Sequence, residues 1–334
     1  MDSAQLLALV GALRGRSVAV IGDVVADEFV YGRVARVSRE APVLILEYDS
    51  TEVVPGGAGN AANNVAAIGG NALLAAVIGR DEPARRLLKS LHRGVNPRTV
   101  VRTPGRGTTI KTRILAGGIH SAKQQVVRID RVANGTLDKA TREAFFRAAV
   151  SAAMRSDAVL VSDYGGGLVS PAIVSRIRRE LKAAGHVVPI LIDSRYGLLR
   201  YSGLTACTPN ESEVEQALGV RINDDAKVLE RAGRTILEQT KMQAVLVTRG
   251  SRGMALFVPG EPTVHIPIFG SDEIADVTGA GDTVMATMAL ALAAGARFEL
   301  AARLANYAGG LVVMKRGTAT VSAAELRDAV KRGA

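Results

Sequence analysis

The chain has 334 residues, 48% hydrophobic and 22% charged, a balance that builds a globular core and excludes a disordered or fibrous chain. A single cysteine, Cys207, excludes a disulfide framework and a cysteine-based metal site; it reads as a small buried apolar residue in a reducing, cytoplasmic setting. The net charge of +10 raises nucleic-acid binding, but the excess is mostly Arg spread over predicted helices, with no basic run interleaved with aromatics, so we expect no nucleic-acid partner and a mild field favouring anionic small molecules.

Residues 6–13 are apolar, but Asp2 stands where a signal peptide is basic and Arg14-Gly-Arg16 leads into a strand, so no leader is expected. No apolar run reaches membrane-spanning length, and no membrane partner is expected. Residues 17–21 (SVAVI) read as a buried parallel strand ending at Gly22-Asp23, without the G-x-G-x-x-G turn of a dinucleotide fold. Residues 29–54 carry β-branched, alternating segments (VYGRV, VLILEYD) and no helix. A helix over 59–68, a strand over 73–78 and a helix over 84–91 follow. Residues 108–130 are extended again (TTIKTRILA, QQVVRID). Helices over 139–154, 171–184 and 224–239 then alternate with strands over 158–162, 189–193 and 244–248. From 284 onward the chain reads as helical, except at 315–321.

Short apolar strands alternating with amphipathic helices predict an α/β fold, a mainly parallel central sheet with helices on both faces, and ligands at the carboxyl ends of the strands. No linker or repeat divides the chain, so residues 1–334 are expected to be one domain. The segments 29–54 and 108–130 form a small accessory sheet, either a lid over a site or a surface that pairs with a second copy.

The string over residues 276–282, Asp-Val-Thr-Gly-Ala-Gly-Asp, opens the apolar helix 283–292. Backbone N–H groups of Gly279, Ala280 and Gly281 at a helix N-terminus converge on an anion, and the helix dipole adds to the attraction. Asp282 at that mouth is placed to take a proton from a substrate hydroxyl. An N-cap Asp on a Gly-rich turn is the structural alternative.

This string resembles the signature of the PfkB/ribokinase family of carbohydrate kinases, and other family marks occur in order. The resemblance implies a ribokinase-like three-layer α/β/α fold, ATP as phosphoryl donor, Mg²⁺, and a monovalent cation such as K⁺. The run Pro55, Gly56, Gly57, Ala58, Gly59, Asn60, with Asn63 and Asn64 beyond, resembles the glycine signature that approaches the sugar. Asp27 lies just past the first strand, where the family places an Asp on sugar hydroxyls, and Asp23 is a second candidate. Asn210, Glu211, Ser212 and Glu213 resemble the N-x-x-E motif that organises Mg²⁺ and its waters at the nucleotide phosphates; the tetrad also suits a helix cap. Thr248, Gly250 and Gly253 resemble the nucleotide-side turn, and Asn306 matches a position near adenine or ribose. Asp276, Thr278 and Gly317 resemble the monovalent-cation site.

Further strings, 38–42 (SREAP), 111–113 (KTR), 124–130, 162–164 (SDY) and 315–322, narrow the resemblance to the heptose 7-phosphate kinases of ADP-heptose synthesis, over about residues 18–330. In that reading Lys111, Arg113 and Arg195 face the sugar phosphate. The chain departs from the subgroup at Gly166, where a Lys is usual, and at 193–195, Asp-Ser-Arg in place of Asp-Pro-Lys. A PfkB-type kinase for a hexose, ketohexose phosphate, 2-keto-3-deoxygluconate or nucleoside is the alternative; against a sugar-binding regulator stands the intact Asp282. His92, His120, His186 and His265 form no H-x-G-H nucleotidyltransferase motif, so the kinase half alone is expected. The resemblance and the exposed strand edges predict a homodimer joined through the accessory sheet.

Overall fold

The computed structural model describes residues 3–117, 123–133, 137–270, 276–315 and 317–333. Asp2, residues 118–122 of the second extended segment and Arg316 of the 315–322 string lie outside the described residues.

The strand Ser17–Gly22 is central, and its side chains alternate between two cores. Val18 and Val20 join one core, Ala19 and Ile21 the other. A strand covered on both faces is apolar at successive positions, which is why SVAVI shows no alternation. The first core lies under the helices Ser3–Ala12, Ala58–Ala67, Ala280–Ala293, Phe298–Val313 and Ala323–Arg332. The second lies under Lys139–Ala153, Pro171–Ala183, Glu211–Leu218 and Ala226–Thr240. Three layers result, as expected.

Among the described residues nine strands form the central sheet, in the order Val264–Ile266, Met254–Phe257, Ala244–Thr248, Ala206–Cys207, Ile190–Ser194, Ala158–Asp163, Ser17–Gly22, Asn71–Ala75, Val95–Asn96. The first two of these pair antiparallel and the rest parallel. Chain order reverses between Ser17–Gly22 and Ala158–Asp163, so the crevice of the sheet opens where these two strands end. Asp23 and Tyr164 are the residues that follow them.

Two elements differ from the sequence reading. The predicted strand 73–78 is two strands: Asn71–Ala75 in the central sheet, and Val77–Gly79 paired with Val101–Thr103 in a separate ribbon. The accessory sheet starts earlier than expected. Its strands are Leu44–Gly57, Val24–Val37, Ile110–Gly117 and Gln124–Arg131, in that order. The start, VVADEF, is almost entirely buried, so it lacks the alternation that marked the strand beyond Phe29. Asp27 therefore sits within an accessory strand and not on a loop after the first central strand. The far end of the sheet leaves Val34, Val37, Leu44, Val126, Val127 and Ile129 exposed.

The helix Ala280–Ala293 is buried from Asp282 to Leu292 and so carries no amphipathic stripe. Its packing sets the site. Gly309 on Phe298–Val313 lets it approach, since a Cβ there would stand 3.0 Å from Val284. Each fully buried Leu or Met on the helix contributes about 1.5–3 kcal/mol. Its N-terminus faces the crevice. No helix among the described residues is long and apolar enough to cross a membrane.

Candidate active site

Gly279 caps the Ala280–Ala293 helix with φ 80°, a left-handed conformation open to glycine, and a Cβ there would stand 2.6 Å from Asn60 Nδ2. The N–H of Ala280 is given to Val277 O, leaving Gly281 and Asp282 as first-turn residues whose N–H groups have no acceptor within the helix. A Cβ on Gly281 would meet nothing within 4 Å. Packing does not require a glycine there, and the space beside it is open.

Asp282 is 4% exposed. Its Oδ2 accepts from Asn60 Nδ2 at 2.7 Å and its Oδ1 from the Tyr164 hydroxyl at 3.2 Å. Burial pushes its carboxyl up to about 7; the two hydrogen bonds hold it down, nearby Asp27 adds to the rise and Lys111 opposes it. A carboxylate in that range both accepts and releases a proton near neutral pH. The Tyr164 hydroxyl is held well above its ordinary value by the Asp282 charge and by burial, so it remains a donor.

Asp282 opens on a cavity of about 570 Å³, which also brings together Gly279, Ala280, Gly281 and Thr278 from the helix start, Asn210 and Glu213, Thr248, Gly250 and Gly253, and Asn306. The strands Ile190–Ser194, Ala206–Cys207 and Ala244–Thr248 bring their carboxyl ends here, and the start of Ala280–Ala293 and the middle of Phe298–Val313 complete the wall. Asn210 and Glu213 form a reciprocal capping box, with Glu213 N–H donating to Asn210 Oδ1 (2.9 Å) and Asn210 N–H to Glu213 Oε2 (3.0 Å). The cap is thus real, and it also fixes both side chains at the cavity. Glu211 turns away to Arg249 (2.7 Å) and Arg252 and does not line the cavity; neither does Ser212. Asn306 donates to Pro267 O at 2.8 Å.

Asp193, at the end of Ile190–Ser194, is a site residue that its spacing did not announce. Burial first, and then the charges of Asp282, Glu213 and Asp163, push its carboxyl well above the ordinary range. Burial likewise raises Glu213. Three acidic groups on one cavity repel one another, and a divalent cation relieves that. Hard oxygen donors from Asn210, Asp193 and Glu213 suit Mg²⁺ that keeps its waters and phosphate ligands. No three His, Cys, Asp or Glu side chains form a closed cage among the described residues.

A second cavity, of about 250 Å³, lies beneath the accessory sheet, and Tyr164 and Arg195 line both. It holds Arg106, Lys111, Arg128 and Arg195 with the acidic Asp23 and Asp130. Burial lowers Lys111 from its ordinary value. Arg113 is not part of this wall: it donates to Asp27 Oδ1 at 2.5 Å. Gly56 is required by that pair, because a Cβ would stand 2.2 Å from Asp27 Oδ2. Gly57 lies against Asp23 O, and Asp23 Oδ2 accepts from the N–H groups of Tyr164 (3.1 Å) and Gly166 (3.0 Å). Asn60 is buried, with its NH₂ turned to Asp282. Asp276 accepts from Thr278 N–H (2.9 Å) and Gly317 N–H (3.0 Å), joining the three residues of the expected cation site. Burial pushes its carboxyl up, and these bonds outweigh it, so it lies below its ordinary value.

Residues 16–325 match the pfkB family carbohydrate kinase. The chain belongs to the pfkB family of carbohydrate kinases. It is a phosphotransferase with an alcohol group as acceptor. The kinase is 43% identical over 330 residues to "Bifunctional protein HldE" of Caulobacter vibrioides and 40% identical over 331 residues to that of Geobacter metallireducens. These alignments cover 98% of the kinase and 65% of each relative, so it spans less than two thirds of their length. Its fold superposes on Arabidopsis thaliana ribokinase complexed with ribose and ATP with a TM-score of 0.69 at 20% identity, over 96% of the kinase and 98% of that chain.

Sequence reasoning gave no role to Tyr164, Asp193 and Arg128, although each fell within a string compared with the family, and it missed Arg106 altogether. Tyr164 and Asp193 also stand at or just past strand ends. Arg106 carried no signal, and only the folded chain brings it and Arg128 to one cavity.

Proposed function

We propose that this kinase transfers the γ-phosphoryl group of ATP to O1 of D-glycero-β-D-manno-heptose 7-phosphate. The observation that carries the reading is the placement of Asp282. It opens on a large cavity walled by a helix N-terminus and acidic groups, and it touches Tyr164, which also lines the basic second cavity. The nucleotide takes the first cavity. The sugar lies near Asp282, and its far phosphate takes the second, against Arg106, Lys111 and Arg195. Asp282 removes the proton of O1 as the oxygen attacks in line, and the first-turn N–H groups of Gly281 and Asp282 stabilise the transferring charge. Glu213, Asn210 and Asp193 would hold Mg²⁺, which would supply positive charge to the phosphates. A monovalent cation such as K⁺ fits beside Asp276, Thr278 and Gly317, where Thr318 Oγ1 is buried without a hydrogen-bond partner.

The departure at Gly166 takes a Lys from this loop, and Arg106 offsets the lost charge. A Cβ there would stand 2.6 Å from Asp23 Oδ1, so a Lys at this position requires Asp23 to shift. Arg106 donates to Gly166 O at 2.8 Å and brings a cation to the same loop. ATP as donor and the single buried Cys207 fit the cytoplasm. The exposed apolar residues of the accessory sheet, whose edge strand Gln124–Arg131 is exposed along its whole length, fit a homodimer through that sheet.

The test is ADP release with heptose 7-phosphate, fructose, ribose and 2-keto-3-deoxygluconate side by side, with phosphorus NMR of the product. Anomeric phosphate formed from heptose 7-phosphate is expected. Turnover of another sugar with none of heptose 7-phosphate replaces this reading with another PfkB-type substrate.

A further inference from the structure

The helix Ala58–Ala67 buries two asparagines among alanines, Asn60 at 1% exposure and Asn64 at 0%. Buried amides persist where every polar atom has a partner. Here the partners form one chain that starts and ends on the Asp282–Thr283 dipeptide. Thr283 Oγ1 donates to Asn64 Oδ1 at 2.9 Å, with Gly279 O a second acceptor at 3.3 Å. Asn64 Nδ2 donates to both Asn60 O and Asn60 Oδ1, each at 3.1 Å. Asn60 Nδ2 donates to Asp282 Oδ2 at 2.7 Å.

The two ends of an amide have nearly the same shape, and their partners decide which way round it sits. In this chain one partner admits no choice: Asn60 O is a backbone carbonyl and only accepts. The NH₂ end of Asn64 must face it. That NH₂ end also faces the Asn60 side chain, which therefore presents Oδ1 to Asn64. Its own NH₂ is left for Asp282. Reversing Asn60 would oppose two NH₂ groups at Asn64 and bring an oxygen onto the carboxylate.

We propose that Asn64 is a positioning residue for Asp282, setting the direction of the Asn60 amide so that a donor and not an acceptor meets the catalytic carboxylate. This rests on the assignment of Asp282 as the base. Asp282 is also faced by Tyr164, Asp193, Asp27 and Lys111 from the neighbouring strands. Of the side chains that donate to it, Asn60 makes the shorter bond, and Asn64 controls it without touching Asp282 or substrate.

The test reads Asp282 directly. Its carboxyl resonance, in protein labelled with ¹³C at aspartate carboxyls and identified by its loss in Asp282→Asn, is titrated without substrate. Asn64→Asp keeps the shape and, when ionised, draws the Asn60 NH₂ to itself and turns an oxygen onto Asp282; its charge raises the midpoint as well, so the uncharged variants decide the matter. The midpoint is expected to rise by about one pH unit or more, the size of one lost hydrogen bond to a charged group. Asn64→Leu and Thr283→Val, which release the amide chain, raise it less, and Thr283→Ser restores the hydroxyl and the native midpoint. A midpoint unmoved in both Asn64→Leu and Thr283→Val, with native circular dichroism, overturns the proposal, whatever Asn64→Asp does. Turnover measured alongside separates the two assignments: a midpoint that moves while Asp282→Asn remains active refutes the base and leaves the positioning chain standing.

Discussion

Replacing Asp282 by Asn should abolish turnover and stabilise the protein, and the two effects come from one cause. Burial raises the Asp282 carboxyl from its ordinary 3.8 to about 7. Below the unfolded value both states are protonated and nothing is lost. As pH rises, the unfolded chain ionises first, so native stability falls until the buried group also ionises near 7 and is level above that. Three pH units at about 1.4 kcal/mol each amount to about 4 kcal/mol of destabilisation at pH 8, with less than half of it present at pH 5. The Asn side chain carries no charge and keeps the shape. Its oxygen still accepts from Asn60, and its NH₂ donates to the Tyr164 hydroxyl, which turns from donor to acceptor. Asp282→Asn should therefore unfold at higher urea than wild type at pH 8, with a smaller gain at pH 5, while kcat in a coupled ADP assay falls at least about 10²–10⁴-fold. A variant that keeps a third of wild-type kcat refutes the base assignment. Equal urea midpoints at pH 8 refute the burial argument.

Glu213→Gln should move the Mg²⁺ dependence of activity to higher concentration with little change in KM for the sugar, since it removes one of the acidic groups at the nucleotide cavity; an unchanged Mg²⁺ curve counts against the role. Arg106→Ala should raise KM for heptose 7-phosphate at least about tenfold, the loss of one charge-assisted contact, and leave KM for ATP unchanged; equal effects on both refute the basic cavity as the phosphate site. Light scattering should give a dimer mass at micromolar concentration, and Val43→Asp with Ile45→Asp should give a monomer. A dimer indifferent to both changes refutes that interface, and a monomer in the wild type leaves the accessory sheet as a lid.

The sequence alone determined the architecture and the segments that wall the first cavity. Buried strands such as 17–21 are written as unbroken apolar runs because helices cover both faces, and the strings around Asp282, Asn210 and Thr248 are local, each holding its own turn or helix start. Local motifs survive translation from chain to structure because the backbone within them sets their geometry. The sequence did not reveal which partners those groups meet. Asn60 read as a sugar ligand and donates to Asp282, 222 residues away. Arg113 read as a phosphate ligand and is held by Asp27 across two accessory strands. Glu211 belonged to the metal motif by position, yet it pairs with Arg249 and Arg252. Arg106 enters the site through the carbonyl of Gly166. Each of these depends on which strand ends face one another across the crevice, and on how much water burial removes from around a carboxylate. Pairing across the sheet and desolvation are properties of the packed whole, so only the tertiary structure decided them.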